Sequence, residues 1–560
     1  EYGISEAELD AMKMTVRRRY HLDKPLNPAS VSNADLVAVC HNNFISGTSL
    51  TNPAELRAIQ NRIISEITLD DVKPYIGKVF SQSDKIYSWF ANPKDKDRIP
   101  STEETRARLA KAFAQDVKPN FVTFRKVDLN VNEAEGKIVK EKTVKGLENS
   151  KEWTLSNGAK VYWTPVNDRK VTPDLSLLVY FNSGYNALPQ DRFGSTLFAG
   201  EFIKANAGFR GASSDEIAKV PECNEVTRSI RISERFAGIF MSAPAKKVEN
   251  AFRIASLTIT DPCMGNDKVL KQMKDKKLET LGEPKKDAVR FNEACDSLIY
   301  GNHPWSVDID SSAVEGVDMT LVEEIYRREF NPSLGMTVFI AGNLDEAKVK
   351  EYVRKYIASI PDGDKSVRKS GIKERVPSFK GVSEFSMTGK KEINPYTLVS
   401  RIFSSKVKPT TESIAAVDFV DYILSQRLLN QIREKRGGTY TIRFNSTVSV
   451  REKGRSESEI TFKTRPDLYR VLVGDLDDVI SGFNAEGPTE KELEEARTWL
   501  IKNNLESKAK RSESMSHRNS QVMNYVRNGI DPNATGKPPT RKSQPRMCAR
   551  RPESLPAETH

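Results

Sequence analysis

Apolar residues recur along this chain at two different spacings. Leu9, Met12 and Val16 follow each other at intervals of three and four, one stripe of a helix, and Leu493, Ala496 and Leu500 repeat that spacing near the other end. A hydroxyl residue precedes each stripe with a Glu three positions on, Ser5 with Glu8 and Thr489 with Glu492. That pattern satisfies the free N–H groups of a first helical turn. Ser101 with Glu104 predicts a further helix start. Extended spacing takes over at Trp153, where WTLSNGAKVYW alternates around Asn157-Gly158, a pair suited to a two-residue hairpin turn with positive φ. The apolar run LSLLVYFNSG (Leu175–Gly184) then reads as a buried strand, followed by a loop and a helix near Gly194. After residue 532 the periodicity stops. Residues 533–560, rich in Pro, Arg and Ser, cannot bury enough apolar surface to offset ordering and are expected to be disordered or foreign to the fold.

Two internal repeats organise the chain. GISEAELDAMK (Gly3–Lys13) matches GPTEKELEEAR (Gly487–Arg497), and TLDDVKPYIGKVF (Thr68–Phe80) matches TLVEEIYRREF (Thr320–Phe330). In the second pair a capped helix leads into a short apolar run of β character, KIYSWFANP in one copy and GMTVFIAGN in the other. Two repeats in consistent order predict duplicated α/β domains. The chain opens on what is a late helix of the other copy, so most of one domain is expected upstream. The expected organisation is the last part of a domain at 1–95, a charged connector at 96–150, domains at 151–365 and 366–532, and the tail at 533–560.

Charge and cysteine content narrow the function classes. The chain has 560 residues and a formal net charge of +11. Residues 533–560 hold six Lys or Arg against two Glu, and elsewhere both signs are mixed, which speaks for a solvated surface and against a phosphate track. A nucleic-acid-binding protein is therefore the weaker alternative. No run of about 18 apolar residues is present to span a membrane. The five Cys (Cys40, Cys223, Cys263, Cys295, Cys548) form no CxxC and are expected to be buried free thiols. The five His (His21, His41, His303, His517, His560) include no pair three to five residues apart, so no helix presents two imidazoles to one metal. No metal site, cofactor site or catalytic residue is expected within this chain.

The order of hairpin, buried strand ending in Gly, loop and Gly-led helix resembles the opening of an insulinase/pitrilysin-type zinc peptidase domain. LIYGNHPWSVD (Leu298–Asp308) and TLVEEIYRREFNPSLGMTVFIAGNLD extend the likeness. In the active domain of that family the helix carries HxxEH; here the matching stretch is Leu197-Phe198-Ala199-Gly200-Glu201, without His. DYILSQRLLNQIREKRGGTYTIRF (Asp421–Phe444) resembles the family segment in which an Arg and a Tyr seven residues apart reach substrate backbone and oxyanion; Arg433 and Tyr440 match it. The resemblance implies an α+β fold of repeated domains, antiparallel-rich sheets packed against helices, forming half of a clamshell. It implies a substrate-binding, non-catalytic half of a zinc metalloendopeptidase, inert alone, whose partners are a peptide or unfolded polypeptide and the missing N-terminal half that carries zinc. A periplasmic or cell-envelope location follows from the resemblance only. The first alternative is a catalytically dead scaffold or peptide-binding subunit.

Overall fold

The computed structural model describes residues 4–20, 22, 33–81, 86–116, 118, 126–131, 135–168, 171, 173–185, 192–301, 303, 309–367, 381–390, 394–408, 410–449, 455–512 and 514–528. The expected tail at 533–560 lies outside them. The chain divides into two compact units, residues 1–127 with 218–221, and the remainder.

The first unit contains helices α1 (Glu6–Arg19), α2 (Asn33–Ser46), α3 (Pro53–Glu66), α4 (Leu69–Ser81) and α5 (Thr102–Phe113). The capping residues act as their spacing requires: Glu8 N–H donates to Ser5 Oγ and Ser5 N–H to Glu8 Oε2, and the same exchange joins Thr68 with Asp71 and Ser101 with Glu104. Helix α1 meets α3 through Arg17 Nη2, which donates to Ser65 Oγ at 2.6 Å. The apolar run expected to continue as a strand does not. Residues 86–92 form no strand, and Ile86 and Phe90 are 94% and 95% exposed. The reason is the lack of a partner: no strand is described in this unit, and a strand without a neighbour leaves its ladder of N–H and C=O groups unpaired.

The second unit is built around a seven-stranded sheet. Its elements run β1 (Ile138–Val144), β2 (Leu147–Leu155), β3 (Lys160–Pro165), β4 (Leu175–Phe181), α6 (Phe193–Asn206), β5 (Gly208–Phe209), α7 (Ser214–Ile217), β6 (Thr227–Ile232), β7 (Ala237–Ala243) and α8 (Val248–Thr260). Then follow β8 (Pro262–Cys263), α9 (Asp267–Gly282), α10 (Asp287–Tyr300), α11 (Ser311–Glu315), α12 (Met319–Glu329), β9 (Thr337–Gly342) and α13 (Glu346–Tyr352). The strand order is β1-β2-β3-β9-β4-β7-β6, antiparallel throughout except for the parallel pair β3–β9. The hairpin β2–β3 turns at Asn157-Gly158, with Gly158 at φ +79° as the sequence required. Strands β1 and the start of β2 fall where composition suggested a connector. As the edge strand, β1 exposes Lys140, Glu141, Lys142 and Thr143, and such charges blunt an open edge while hiding the strand from a hydrophobicity reading.

A three-stranded sheet completes the unit, in the order β10 (Thr397–Lys406), β12 (Arg455–Thr464), β11 (Arg443–Ser449). Helices α14 (Thr411–Leu428), α15 (Tyr469–Glu486) and α16 (Glu490–Ser512) cover it around a core of Leu428, Ile432, Ile460, Leu472 and Leu476. The last helix, α17 (Met515–Asn528), crosses back to the seven-stranded sheet. Val522, with Met523, Tyr525 and Val526, packs on Tyr162, Leu178, Tyr180 and Phe339, while α8 lies against β4 and β7. All seven residues of β4 are therefore buried, which is why its sequence is continuously apolar and does not alternate. Asn519 Nδ2 anchors the helix by donating to the carbonyls of Phe339 (2.9 Å) and Ser176 (3.3 Å).

One buried acid ties α12 to the end of β4. Gly184 N–H donates to Glu329 Oε2 at 2.5 Å and Ser183 Oγ donates to the Glu329 carbonyl at 2.7 Å. Glu329 is fully buried, and burial pushes its carboxyl up to about 7 from an ordinary value near 4.5, against the lowering effect of Gly184, Ser183 and Arg328. The folded state thus holds a proton that the unfolded chain releases between pH 4.5 and 7. Stability from this group is complete below that window and is lost as pH rises through 7, by about 3 kcal/mol in all. Urea midpoints measured from pH 4.5 to 8 should show this decline in the native protein, and Glu329→Gln should remove it.

Candidate functional site

Helix α6 is where the family resemblance would place a zinc motif, and its packing rules that role out for the residues present. Phe198, Ala199 and Gly200 are buried, and Glu201 ion-pairs with Lys277 at 3.1 Å. A Cβ on Gly200 would lie 2.3 Å from the Tyr185 hydroxyl, so the glycine serves a close ring contact. Without an imidazole, these residues do not fit zinc. Among the described residues no group of three or more His, Cys, Asp or Glu could hold a metal ion. The described cysteines are free, but only Cys223 is buried; Cys40 is exposed on α2, and Cys263 and Cys295 lie half-buried, contrary to the expectation of buried thiols.

The structure brings Arg433 and Tyr440 together. Helix α14 runs into a widened π-helical turn, Leu429–Lys435, a variation that recurs at functional sites. Arg433 lies in that turn. The chain leaves it through Gly437-Gly438: Gly437 has φ +61°, and a Cβ on Gly438 would fall 2.5 Å from Leu472. The following residues are fastened to the end of β12, since Thr439 Oγ1 donates to the Lys463 carbonyl (2.7 Å) and Thr464 Oγ1 to the Gly438 carbonyl (2.6 Å). This return places the Tyr440 ring 5.6 Å from the Arg433 guanidinium carbon, a cation–π contact. Tyr440 is 84% exposed, so the contact does not serve core packing. Beside it opens a cavity of about 500 Å³ lined by Tyr396, Gly438, Tyr440, Lys463 and Arg465 among others.

The frame beneath these residues is electrostatic. Asp475 of α15 accepts from Arg436 Nε (2.8 Å) and Nη2 (3.0 Å) and from Gln431 Nε2 (3.2 Å). The Arg436 hydrogen bonds hold the Asp475 carboxyl below the usual range, outweighing its burial. Arg436 thus braces the π-helical turn against α15. On the far side of the sheet, β11 has lost part of its open edge: Ser446 N–H donates to Asp421 Oδ2 and Phe444 N–H to Ser425 Oγ. Burial pushes the Asp421 carboxyl up to about 6. Strand β10, at the other end of the strand order, keeps its outer edge unpaired among the described residues. No motif in the sequence pointed to Tyr396, just before β10, or to Lys463 and Arg465, at the end of β12; Arg436 and Asp475 are 39 positions apart, with no spacing rule to join them.

Residues 317–500 match the family model of the peptidase M16 inactive domain. The chain is 21% identical over 503 residues to the probable zinc protease PqqL of Escherichia coli (strain K12), covering 88% of this chain and 52% of that protein. The resemblance to the insulinase/pitrilysin family holds. Among solved structures of this M16 type, the periplasmic protease PqqL from Escherichia coli superposes with a TM-score of 0.63 at 19% identity, over 95% of this chain and 57% of that one. The ferredoxin protease FusC, in complex with Arabidopsis ferredoxin, gives 0.61 at 14% identity over the same shares. A peptidase M16 inactive domain from Pseudomonas fluorescens gives 0.52 at 17% identity, over 71% of this chain and 93% of that domain. The chain spans about half the length of the curated M16 relative it matches.

Asp475→Ala should release the turn that carries Arg433. The expected result is a loss of about 1–3 kcal/mol in urea denaturation, as for a buried acceptor whose donors lose their partner. Faster hydrogen exchange across residues 429–438 should accompany it.

Proposed function

We propose that this chain is the substrate-binding, non-catalytic half of a zinc endopeptidase, and that it helps clamp a polypeptide for hydrolysis by a zinc-bearing partner half. The observation that carries the proposal is the exposed Arg433–Tyr440 pair at the mouth of a cavity on an M16-type fold. A guanidinium offers a rigid fork of donors to backbone carbonyls, and a phenol can donate to a carbonyl oxygen that gains charge. Tyr440 has its phenol free for this, since among the described residues it makes no hydrogen bond. Strand β10 supplies a sheet edge for an extended peptide, whose main chain would pair with it. Its first residue, Thr397, adjoins Tyr396 of the cavity lining, so a peptide along β10 would end beside Tyr440. The FusC relative holds a polypeptide, ferredoxin, which supports a polypeptide ligand here. By likeness to the periplasmic PqqL the same compartment is proposed for this chain.

The test mixes this chain with the recombinant zinc-bearing half and follows cleavage of an unfolded polypeptide. Activity is expected only in the mixture, and Arg433→Ala or Tyr440→Phe should each lower kcat/KM by about 10²–10³, the range for loss of one transition-state donor. A mixture that binds the polypeptide without cleaving it would favour a scaffold or peptide-binding subunit.

A further inference from the structure

The cavity beside Tyr440 carries one sign of charge. Its lining includes Lys463 and Arg465 and, among the described residues, no Asp or Glu. Lys463 is exposed and makes no ion pair among the described residues; its ammonium stands 4.4 Å from the centre of the Tyr396 ring, itself part of the lining. A ring contact of this kind positions the charge and leaves the ammonium N–H groups able to donate elsewhere. Arg465 pairs with Asp467 at 3.4 Å, and both side chains are largely exposed. Such a pair in water is worth little and exchanges readily for another carboxylate. Arg433, outside the lining, pairs with its neighbour Glu434 at 3.5 Å, so the charge of the cavity itself comes from Lys463 and Arg465. The acids of β12, Glu459 and Glu457, share the outward face with Lys463 but lie four and six positions back, about 13 and 20 Å along a strand. They are already engaged, Glu459 by Ser400 and Thr461 and Glu457 by Tyr300.

We propose that the Lys463–Arg465 cavity receives a carboxylate of the bound polypeptide, from an acidic side chain or from a chain end, close to the bond that is cut. This rests on the proposed role of Tyr440 as a donor to a carbonyl gaining charge, which puts the reacting bond at the mouth of the cavity. A group one or two residues from that bond then enters beside Lys463 and Arg465. The two cations keep their place relative to Tyr440, because Thr439 Oγ1 donates to the Lys463 carbonyl at 2.7 Å. At about 500 Å³ the cavity admits a Glu side chain with water around it. Its charge then chooses among side chains. A carboxylate gains two charged donors, a neutral amide gains weaker ones, and a Lys or Arg side chain meets two like charges. The cavity is open to solvent, so the discrimination is moderate and is screened by salt.

The test uses peptides in which a single Glu, Gln or Lys is scanned through an otherwise neutral sequence, each with a free or an amidated C-terminus. Binding to the full chain is followed by fluorescence anisotropy, and cleavage by the mixture with the zinc-bearing half is followed by mass spectrometry. At low salt the best-placed Glu should be favoured over Gln at least about fivefold in kcat/KM, and over Lys by more. The ratio should shrink toward one as salt is raised. Lys463→Gln should lower the Glu-to-Gln ratio, and Lys463→Glu should turn the preference toward the Lys peptides; circular dichroism checks that both variants fold. A preference that persists in amidated peptides assigns the cavity to an acidic side chain, one confined to free C-termini assigns it to a chain end, and either supports the proposal. Equal use of all the peptides, or a Glu-to-Gln ratio that Lys463→Gln leaves untouched, overturns the carboxylate subsite and leaves the proposed function standing. If neither the full chain nor the mixture binds or cleaves any peptide, both are overturned.

Discussion

The fold depends on covering both faces of one sheet. Strands β4 and β9 are apolar on both sides, so neither face tolerates water. One face is closed by nearby helices, α8 among them, and the other by α17, whose Asn519 bonds to the Ser176 carbonyl 343 positions away. A helix drawn from so far along the chain does for the sheet what a local crossover does in a simple α/β unit. Tyr162, Leu178, Tyr180 and Phe339 need that cover, each large apolar side chain being worth about 1.5–3 kcal/mol when buried.

What was legible in the sequence was local. The Asn157-Gly158 turn, the unbroken apolar run of β4 and the hydroxyl–Glu helix starts each encode their geometry within a few residues, and each is present in the structure. What was not legible depended on partners. Strand β1 hides behind its charges because its pairing is decided by β2, while residues 86–92 look like a strand and have no described neighbour in their unit. Nothing in the sequence pattern pointed to α17 as the cover of a sheet more than 170 positions before it. At the candidate site, resemblance supplied Arg433 and Tyr440 by type and spacing. Their contact is a consequence of the π-helical turn, the two glycines and the Asp475 anchor, and those are tertiary facts.

The site is held by constraints of unequal kinds. Gly437 and Gly438 fix the path of the chain sterically, one by its positive φ and the other by the approach of Leu472. Asp475 fixes the helical side by charge-assisted hydrogen bonds, which are stronger than neutral ones. Threonines 439 and 464 lace the loop to the end of β12. The two exposed side chains are thus carried on a rigid frame although they themselves stand in solvent.

The placement of α17 also sets an order in time. A nascent chain emerges from its N-terminal end, so the strands at 138–342 are made long before residue 515. Throughout that interval the face carrying Tyr162, Tyr180 and Phe339 has no lid. The sheet can collapse early on the side of α8, yet its other face closes only after the last described helix, α17, has been made. An exposed aromatic surface of that lifetime is a site for chaperone binding and a hazard for association between nascent chains.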